Sequence, residues 1–283
     1  MTGKLDSRSL GLDVGLSFIR WLTGAENLHY GLWTGLDVTA ANLGPAQAAY
    51  TERLLSHLPP GRLRILDIGG GAGETAARLI ALGHEVEIVV PSAHLATRCR
   101  VNAPAARVHE MRFETFASGR RFDLCLFSES FQYIPPRIAL DKAASVLVPG
   151  GEILIADCFR ADAFRGGTRL RIVGGGHRLS AVRALFAERG IKIVAEEDLT
   201  ADVAPSIDLE QDLFNVFGHA ITRIDAELAA KRPRGRWLLR RILRLVLGAR
   251  RRDRLATRLM GRERTAEVFC RFNRYMIFRL RAP

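Results

Sequence analysis

Short, continuously apolar runs alternate along this chain with stretches in which apolar residues recur every three or four positions. Continuous apolar runs are typical of buried parallel strands, and the recurring spacing is typical of amphipathic helices. The runs predict strands near residues 63–68, 85–90, 106–109, 122–128, 151–157, 191–197 and 275–280. Because strands and helices alternate, we expect right-handed βαβ crossovers and a largely parallel sheet.

Two helices are predicted before the first strand, at residues 8–23 and 44–57. The apolar face of the first helix consists of Leu10, Val14, Phe18 and Leu22. A Pro-Pro-Gly sequence ends the second helix. We therefore expect a helical N-terminal cover over residues 1–58, followed by an α/β core over residues 59–200.

The first strand of the core ends in an acid and runs directly into alternate glycines. Residues 64–74 read RILDIGGGAGE, and the acid is Asp67. Glycine permits a sharp turn and removes side chains where a ligand must approach the backbone. The helix predicted over residues 75–82 directs its first N–H groups at the same point. This junction is therefore a candidate nucleotide site.

Two nucleotide classes fit the glycines. Residues 71–76 match the G-x-G-x-x-G/A dinucleotide fingerprint, and Glu85 and Glu87 lie about where its ribose-binding acid is expected. The longer acid-x-Gly-x-Gly-x-Gly pattern instead resembles the first motif of class I S-adenosylmethionine (AdoMet) methyltransferases. A turn without a ligand is disfavoured, because three spaced glycines cost backbone entropy.

Two further motifs favour the methyltransferase. Residues 122–134, FDLCLFSESFQYI, resemble the family's fourth-strand motif. Residues 143–157, AASVLVPGGEILIAD, resemble its fifth helix, Pro-Gly-Gly turn and fifth strand. The resemblance implies an α/β, doubly wound, seven-stranded mixed sheet with a Rossmann-like methyltransferase fold, of the small-molecule or secondary-metabolite type.

The resemblance also implies AdoMet as the cofactor and assigns residues to it. They are Asp67, Gly69, Gly70, Gly71, Gly73, Val90, Pro91, Arg112, Phe113, Glu114 and Ser128. Val90 departs from the family pattern, which usually has a ribose-binding acid at the end of the second strand. Residues 27–33, NLHYGLW, resemble a segment that folds over the cleft in many small-molecule methyltransferases, which implies a cofactor contact from Tyr30.

Three residues are candidates for catalysis. Glu129 follows the fourth strand, where the acceptor is expected, and is predicted to act as a base or to stabilise a cation. Tyr133 is a candidate for orienting the acceptor. His177, in a glycine-rich loop after the fifth strand, is a candidate general base. Each also has a structural interpretation: a hydrogen bond to cofactor or backbone, an apolar helix face and a surface loop, respectively.

The charge of the chain is concentrated near its C-terminal end. Residues 231–283 contain 18 Lys or Arg and three Asp or Glu, a formal charge of +15, whereas the whole chain carries +12. We predict a basic helical cap over residues 201–268, inserted before a last core strand within residues 269–283. On a helix, one side of this segment carries Arg236, Arg240, Arg241, Arg244, Arg251 and Arg252, and the other carries Leu238, Leu239, Ile242, Leu245 and Val246.

Two interpretations of this amphipathic segment remain open. It is either a peripheral membrane element over residues 231–260, gaining about 1 kcal/mol per basic residue near anionic lipid, or a cap with solvated arginines. Aromatic residues are sparse apart from Trp237, which disfavours nucleic acid as the partner.

Several function classes are disfavoured. The four cysteines form no C-x-x-C pair, so we expect reduced thiols, no metal site and a cytoplasmic protein, with peripheral contact at the inner face of the membrane as the open alternative. The Asn/Asp-Pro-Pro-aromatic motif of nucleic-acid amino methyltransferases is replaced by Ser-Glu-Ser-Phe at residues 128–131.

The sequence therefore predicts AdoMet-dependent methyl transfer to the oxygen or carbon of a small, lipophilic metabolite. One alternative is a tRNA or rRNA methyltransferase that docks through the basic segment. The other is a non-catalytic AdoMet-fold module that binds a membrane or a partner protein.

Overall fold

The computed structural model describes residues 7–163, 173–261 and 263–282. Its seven strands are β1 (Arg64–Ile68), β2 (Glu85–Val90), β3 (Arg107–Glu110), β4 (Phe122–Ser128), β5 (Leu147–Arg160), β6 (Lys192–Asp198) and β7 (Asn273–Arg281). They form one sheet in the order β3-β2-β1-β4-β5-β7-β6, and β7 runs antiparallel to both of its neighbours. The predicted seven-stranded mixed sheet is confirmed.

The central strands are buried on both faces, as their continuous apolar sequences predict. Successive side chains of β4 point to opposite sides: Leu124 and Leu126 enter one core, whereas Cys125 and Phe127 enter the other. The largest difference from the prediction concerns β5. It begins before the Pro-Gly-Gly turn and extends to Arg160, because β7 pairs with it as far as that residue.

Helices cover both faces of the sheet. They are α1 (Ser7–Thr23) and α2 (Leu43–Leu55) in the cover, and α3 (Glu74–Ala81), α4 (Ala93–Asn102), α5 (Pro136–Val146) and α6 (Leu179–Glu188) in the core. On α1 the predicted apolar face is wrong at Val14, which is exposed, whereas Leu16 is buried. Phe18 and Leu22 of the predicted face are partly buried.

Five helices lie between β6 and β7, where the cap was predicted. They are α7 (Thr200–Val203), α8 (Pro205–Lys231), α9 (Pro233–Val246), α10 (Ala249–Met260) and α11 (Ala266–Phe272). We call α8, α9 and α10 the arm. α10 crosses α8 so closely that a Cβ on Gly218 would overlap the Leu259 carbonyl.

The start of α8 anchors the arm to the cover. The Ser206 hydroxyl accepts hydrogen bonds from the Trp33 indole N–H at 2.7 Å and from the Gly31 N–H at 3.1 Å. The cover and the arm therefore meet at the start of α8. Within the described ranges, we find no helix that is both long and apolar enough to cross a bilayer.

Candidate active site

The glycines of the β1–α3 junction do not all serve the same purpose. All three alternate glycines have positive φ, at +76° for Gly69, +55° for Gly71 and +94° for Gly73. A Cβ on Gly73 would lie 2.9 Å from the Cα of Cys99, so this glycine lets α3 pack closely on α4. A Cβ on Gly71 would meet open space. Gly71 therefore leaves room for a ligand.

Asp67 lies beneath this turn as a buried carboxyl group. A Cβ on Gly70 would stand 2.5 Å from its Oδ2 atom, which explains the glycine there. Both carboxyl oxygens are buried, and within the described chain neither has a hydrogen-bond partner. Burial disfavours the charged form and raises the pKa of Asp67 to about 7. Such a carboxyl group suits a ligand that brings a cation or an N–H donor.

A cavity of about 360 Å³ lies over the carboxyl ends of β1, β2 and β4. In parallel α/β sheets this edge is where ligands bind. Twelve of the predicted site residues line it: Asp67, Gly69, Gly70, Gly71, Val90, Pro91, Arg112, Phe113, Glu114, Ser128, Glu129 and Tyr133. The structure therefore brings together the turn, the three strand ends and the segment after β4.

The cover closes one side of the cavity with residues 26–29. Glu26 is buried and accepts hydrogen bonds from Arg98 Nε at 2.7 Å and Asn102 Nδ2 at 2.8 Å. Burial alone would raise the pKa of Glu26, but these hydrogen bonds outweigh it and lower the pKa. Its N–H group donates to Glu74 Oε1 at 3.0 Å. These three polar contacts tie the cover to α3 and α4.

The end of β2 provides no carboxylate, as the sequence indicates. Val90 is buried, and Ser92 accepts a hydrogen bond from the Leu95 N–H at 3.3 Å to cap α4. The acids that line the cavity away from β2 include Glu26, Glu74 and Glu114. A ribose bound here would therefore meet a pattern of acceptors different from the usual one.

Phe113 belongs to both the cavity wall and the core. Only 3% of it is exposed, and its ring meets Phe127 edge to face at 5.7 Å and Phe116 at 6.4 Å. The two interpretations of this residue, packing and ligand contact, are therefore compatible.

Glu129 has an unusual backbone and a fixed carboxyl group. Its φ is +53°, the one positive value among the described non-glycine residues. Its Oε1 atom accepts hydrogen bonds from the Tyr30 N–H at 2.8 Å and the Tyr275 hydroxyl at 2.9 Å. The Tyr275 and Tyr50 hydroxyls are 2.7 Å apart, and Tyr50 lies 3.2 Å from the Ser128 hydroxyl. This network holds the carboxyl group at the cavity wall. The positive φ of the Glu129 backbone is a conformation that is costly for a non-glycine residue.

Burial raises the pKa of Glu129 to about 7, and the hydrogen bonds from Tyr30 and Tyr275 partly oppose the shift. Asp157 lies nearby on β5 and is fully buried, which raises its pKa to about 8. Its two oxygens accept hydrogen bonds from the Gln132 N–H at 2.9 Å and the Cys158 N–H at 2.7 Å. Asp157 therefore positions the segment that carries Tyr133.

Three predicted site residues, Tyr30, Gly73 and His177, are not among the described residues that line the cavity. The Tyr30 ring packs edge-on to Phe269 at 6.1 Å and Tyr275 at 5.8 Å. His177 Nε2 lies 2.9 Å from the Ile134 carbonyl oxygen and therefore carries the proton that it donates. His177 thus joins its loop to the segment after β4, and its role as a base remains a prediction.

Three buried carboxyl groups make stability depend on pH. Asp67, Glu129 and Asp157 have raised pKa values in the folded protein, so these three groups bind more protons in the folded than in the unfolded state between about pH 4.5 and 8. Burial lowers the pKa of His29 to about 4, which opposes this effect below about pH 6.5 but involves one group against three. We expect the free energy of unfolding to fall as the pH rises through this window. Urea denaturation of the ligand-free protein at pH 5, 6, 7 and 8 measures it.

In the Asp67→Asn variant, the free energy of unfolding should depend less steeply on pH. In Asp212→Asn, which changes an exposed acid, it should depend on pH as in the wild type. A wild-type stability that stays level or rises over the window would contradict the burial of these groups.

Comparisons with known proteins agree with this geometry. Residues 65–151 match a family profile described as a methyltransferase domain, which spans β1 to β5. The tRNA 5-carboxymethoxyuridine methyltransferase of Escherichia coli K12 is 36% identical over 109 residues, which is 35% of this chain and 42% of that protein. The chain thus covers less than half the length of the curated relatives that it matches.

Solved structures match nearly the whole chain. The [4+2]-cyclase SpnF aligns with a TM-score of 0.64 and 16% identity, over 98% of this chain and 95% of that one. The geranyl diphosphate C-methyltransferase of Streptomyces coelicolor aligns with a TM-score of 0.62 and 14% identity, over 94% and 92%. At these identities the likeness shows the fold, and it confirms the predicted Rossmann-like methyltransferase fold.

Proposed function

We propose that this chain, which is built on a class I methyltransferase domain, transfers the methyl group of AdoMet to the oxygen or carbon of a small, lipophilic metabolite. One observation carries the proposal. The buried Asp67 carboxyl group lies without a partner in the described chain beneath a glycine turn that opens into the cavity. The S. coelicolor relative was crystallised with S-adenosylhomocysteine, which supports the choice of cofactor.

The residues of the cavity fit AdoMet. Asp67 would receive the ammonium group of its methionine part, which supplies the missing donor. The open side of Gly71 would admit the chain of that methionine, and Phe113 and Glu114 would flank the adenine. The cofactor supplies a methyl group on a positively charged sulfur with a good leaving group, so alignment and the exclusion of water can provide much of the acceleration.

Glu129 is the group that would handle the acceptor's proton. Because its pKa lies near 7, its carboxylate is available at neutral pH and is basic enough to accept a proton from a hydroxyl group. Tyr30 and Tyr275 hold this carboxylate in place. For a carbon acceptor, methyl transfer would leave a cationic centre on the acceptor. The Glu129 carboxylate would stabilise that cation and then accept a proton from it.

The acceptor side of the cavity supports a lipophilic substrate. Leu28 from the cover and Ile134 from the segment after β4 line it together with the Tyr133 ring. Ligand sites of this kind bury apolar groups against such walls, and a few polar groups orient the ligand.

A second candidate acceptor is tRNA. It is favoured by the identity to the E. coli tRNA methyltransferase and by the uncompensated basic charge of the arm. Under this alternative, the arm would contact phosphates while the cavity accepts a modified base.

Methyl-labelled AdoMet distinguishes the two acceptors. The protein is incubated with a metabolite extract and, separately, with total tRNA, and label is followed into each by scintillation counting and mass spectrometry. We expect label in the organic-soluble metabolites. Label in tRNA alone would replace the first proposal by the second. Absence of AdoMet binding at millimolar concentration in calorimetry would overturn both and favour a non-catalytic module.

A further inference from the structure

Helix α9 exposes its apolar and its basic side chains alike. Every residue of α9 except Arg236 is exposed. The exposed apolar side chains are Trp237, Leu238, Leu239, Ile242, Leu243, Leu245 and Val246, with Leu245 at 79% and Val246 at 69%. Apolar surface of this extent on one short helix marks a contact site in proteins.

Hydrogen bonds from two arginines hold α9 on the arm. Arg236 donates to both carboxylate oxygens of Asp225 on α8, each at 2.8 Å, and Arg240 donates to the same carboxylate at 2.9 Å. α9 is thus fixed by its arginine edge. The rest of the described chain leaves much of the apolar face exposed.

Positive charge surrounds this apolar face. α9 and α10 together contain ten arginines and one acid, Asp253. In the part of the chain that the structure describes, Arg241, Arg244 and Arg251 form no ion pair with a carboxylate, and the Arg241 guanidinium lies over the Trp237 ring at 5.2 Å. The excess charge is therefore available to an anionic partner.

We propose that α9 docks flat on an anionic lipid bilayer, with its apolar side chains inserted among the acyl chains and the arginines of α9 and α10 against the lipid phosphates. An amphipathic helix with a basic polar face binds in this way without crossing the membrane. The proposal concerns binding alone and holds whether or not the cavity transfers a methyl group.

Two other occupants fit the face less well. A second copy of the chain would bring two sets of uncompensated arginines together, which like charges oppose. A nucleic acid would use the arginines but leave Leu245 and Val246 in water. A bilayer satisfies both the charge and the apolar surface.

The test is flotation with vesicles at two compositions, pure phosphatidylcholine and phosphatidylcholine with 30% phosphatidylglycerol. The full chain should float with the anionic vesicles and bind the neutral ones far more weakly. Arg241→Gln/Arg244→Gln should weaken binding to anionic vesicles by about 30-fold, because each arginine near the surface contributes about 1 kcal/mol. Leu238→Ser/Leu245→Ser should weaken binding to both compositions.

The matched control is Arg62→Gln/Arg107→Gln, which removes the same charge from two exposed arginines of the core and should bind as the wild type does. Equal losses in the two arginine pairs, or equal wild-type binding to both vesicle types, would overturn the proposal. Vesicle binding that Leu238→Ser/Leu245→Ser leaves unchanged would also overturn it. So would a dimer, detected by light scattering, that this double substitution dissociates. AdoMet titration of the same samples tests the cavity separately.

Discussion

Gly71→Arg is expected to abolish AdoMet binding while the protein stays folded. Gly71 has a φ of +55° and faces open space at the cavity. An arginine there would fill the room left for the methionine part of the cofactor and place a cation beside the positively charged sulfur. We expect at least a 100-fold loss of AdoMet affinity in calorimetric titration.

Gly61→Arg is the matched control for this variant. Gly61 also has a positive φ, +94°, and open space around its Cα, but it precedes β1 at the opposite end of that strand. Both variants should lose about 1–2 kcal/mol of stability, because a left-handed backbone disfavours a side chain. Retained AdoMet affinity in Gly71→Arg would mean that the cofactor binds elsewhere.

Glu129→Gln should lower kcat by about 100-fold to 1,000-fold, which is the usual contribution of a positioned base. AdoMet affinity should change little, because the glutamine oxygen can still accept hydrogen bonds from Tyr30 and Tyr275. In the wild type, kcat should rise with pH and level off above about 7, where the carboxylate form predominates. In Glu129→Gln this rise of kcat with pH should be absent. Single-turnover kinetics from pH 5.5 to 8.5 measure both effects.

Tyr275→Phe separates a chemical role of Glu129 from a structural one. The Tyr275 hydroxyl lowers the pKa of Glu129 through its hydrogen bond. Its removal should shift the kcat step to higher pH without abolishing it. If Glu129→Gln instead loses AdoMet affinity and keeps kcat, Glu129 is a cofactor ligand and not the base.

The glycine-turn end of the cavity was predictable because its signals are local. Asp67 and the turn from Gly69 to Gly71 are close together in the chain. Because β1 ends there and the turn follows directly, they must lie together at the carboxyl edge of the sheet. The same holds for Ser128 and Glu129 at the end of β4. Short-range backbone geometry therefore determined most of the lining.

Contacts between distant segments were not predictable. The clamp between Glu26 and Arg98 joins residues 72 positions apart. Gly73 fits a cofactor motif, yet its closest neighbour is Cys99 on another helix. For Tyr30 the pattern indicated the ring, whereas the structure uses its backbone N–H to hold Glu129. Each of these contacts joins segments that are far apart in the chain, and local periodicity carries no information about such contacts.

The arm leaves and rejoins the sheet at two strands that lie side by side, paired from Lys192 and Arg281 to Asp198 and Met276. A segment whose ends are already neighbours adds only about 0.6 kcal/mol of closure entropy for each doubling of its length. Insertions and deletions at this point would therefore leave the strand register undisturbed. The arm can therefore change in length and composition while the sheet that carries the cavity keeps its pairing.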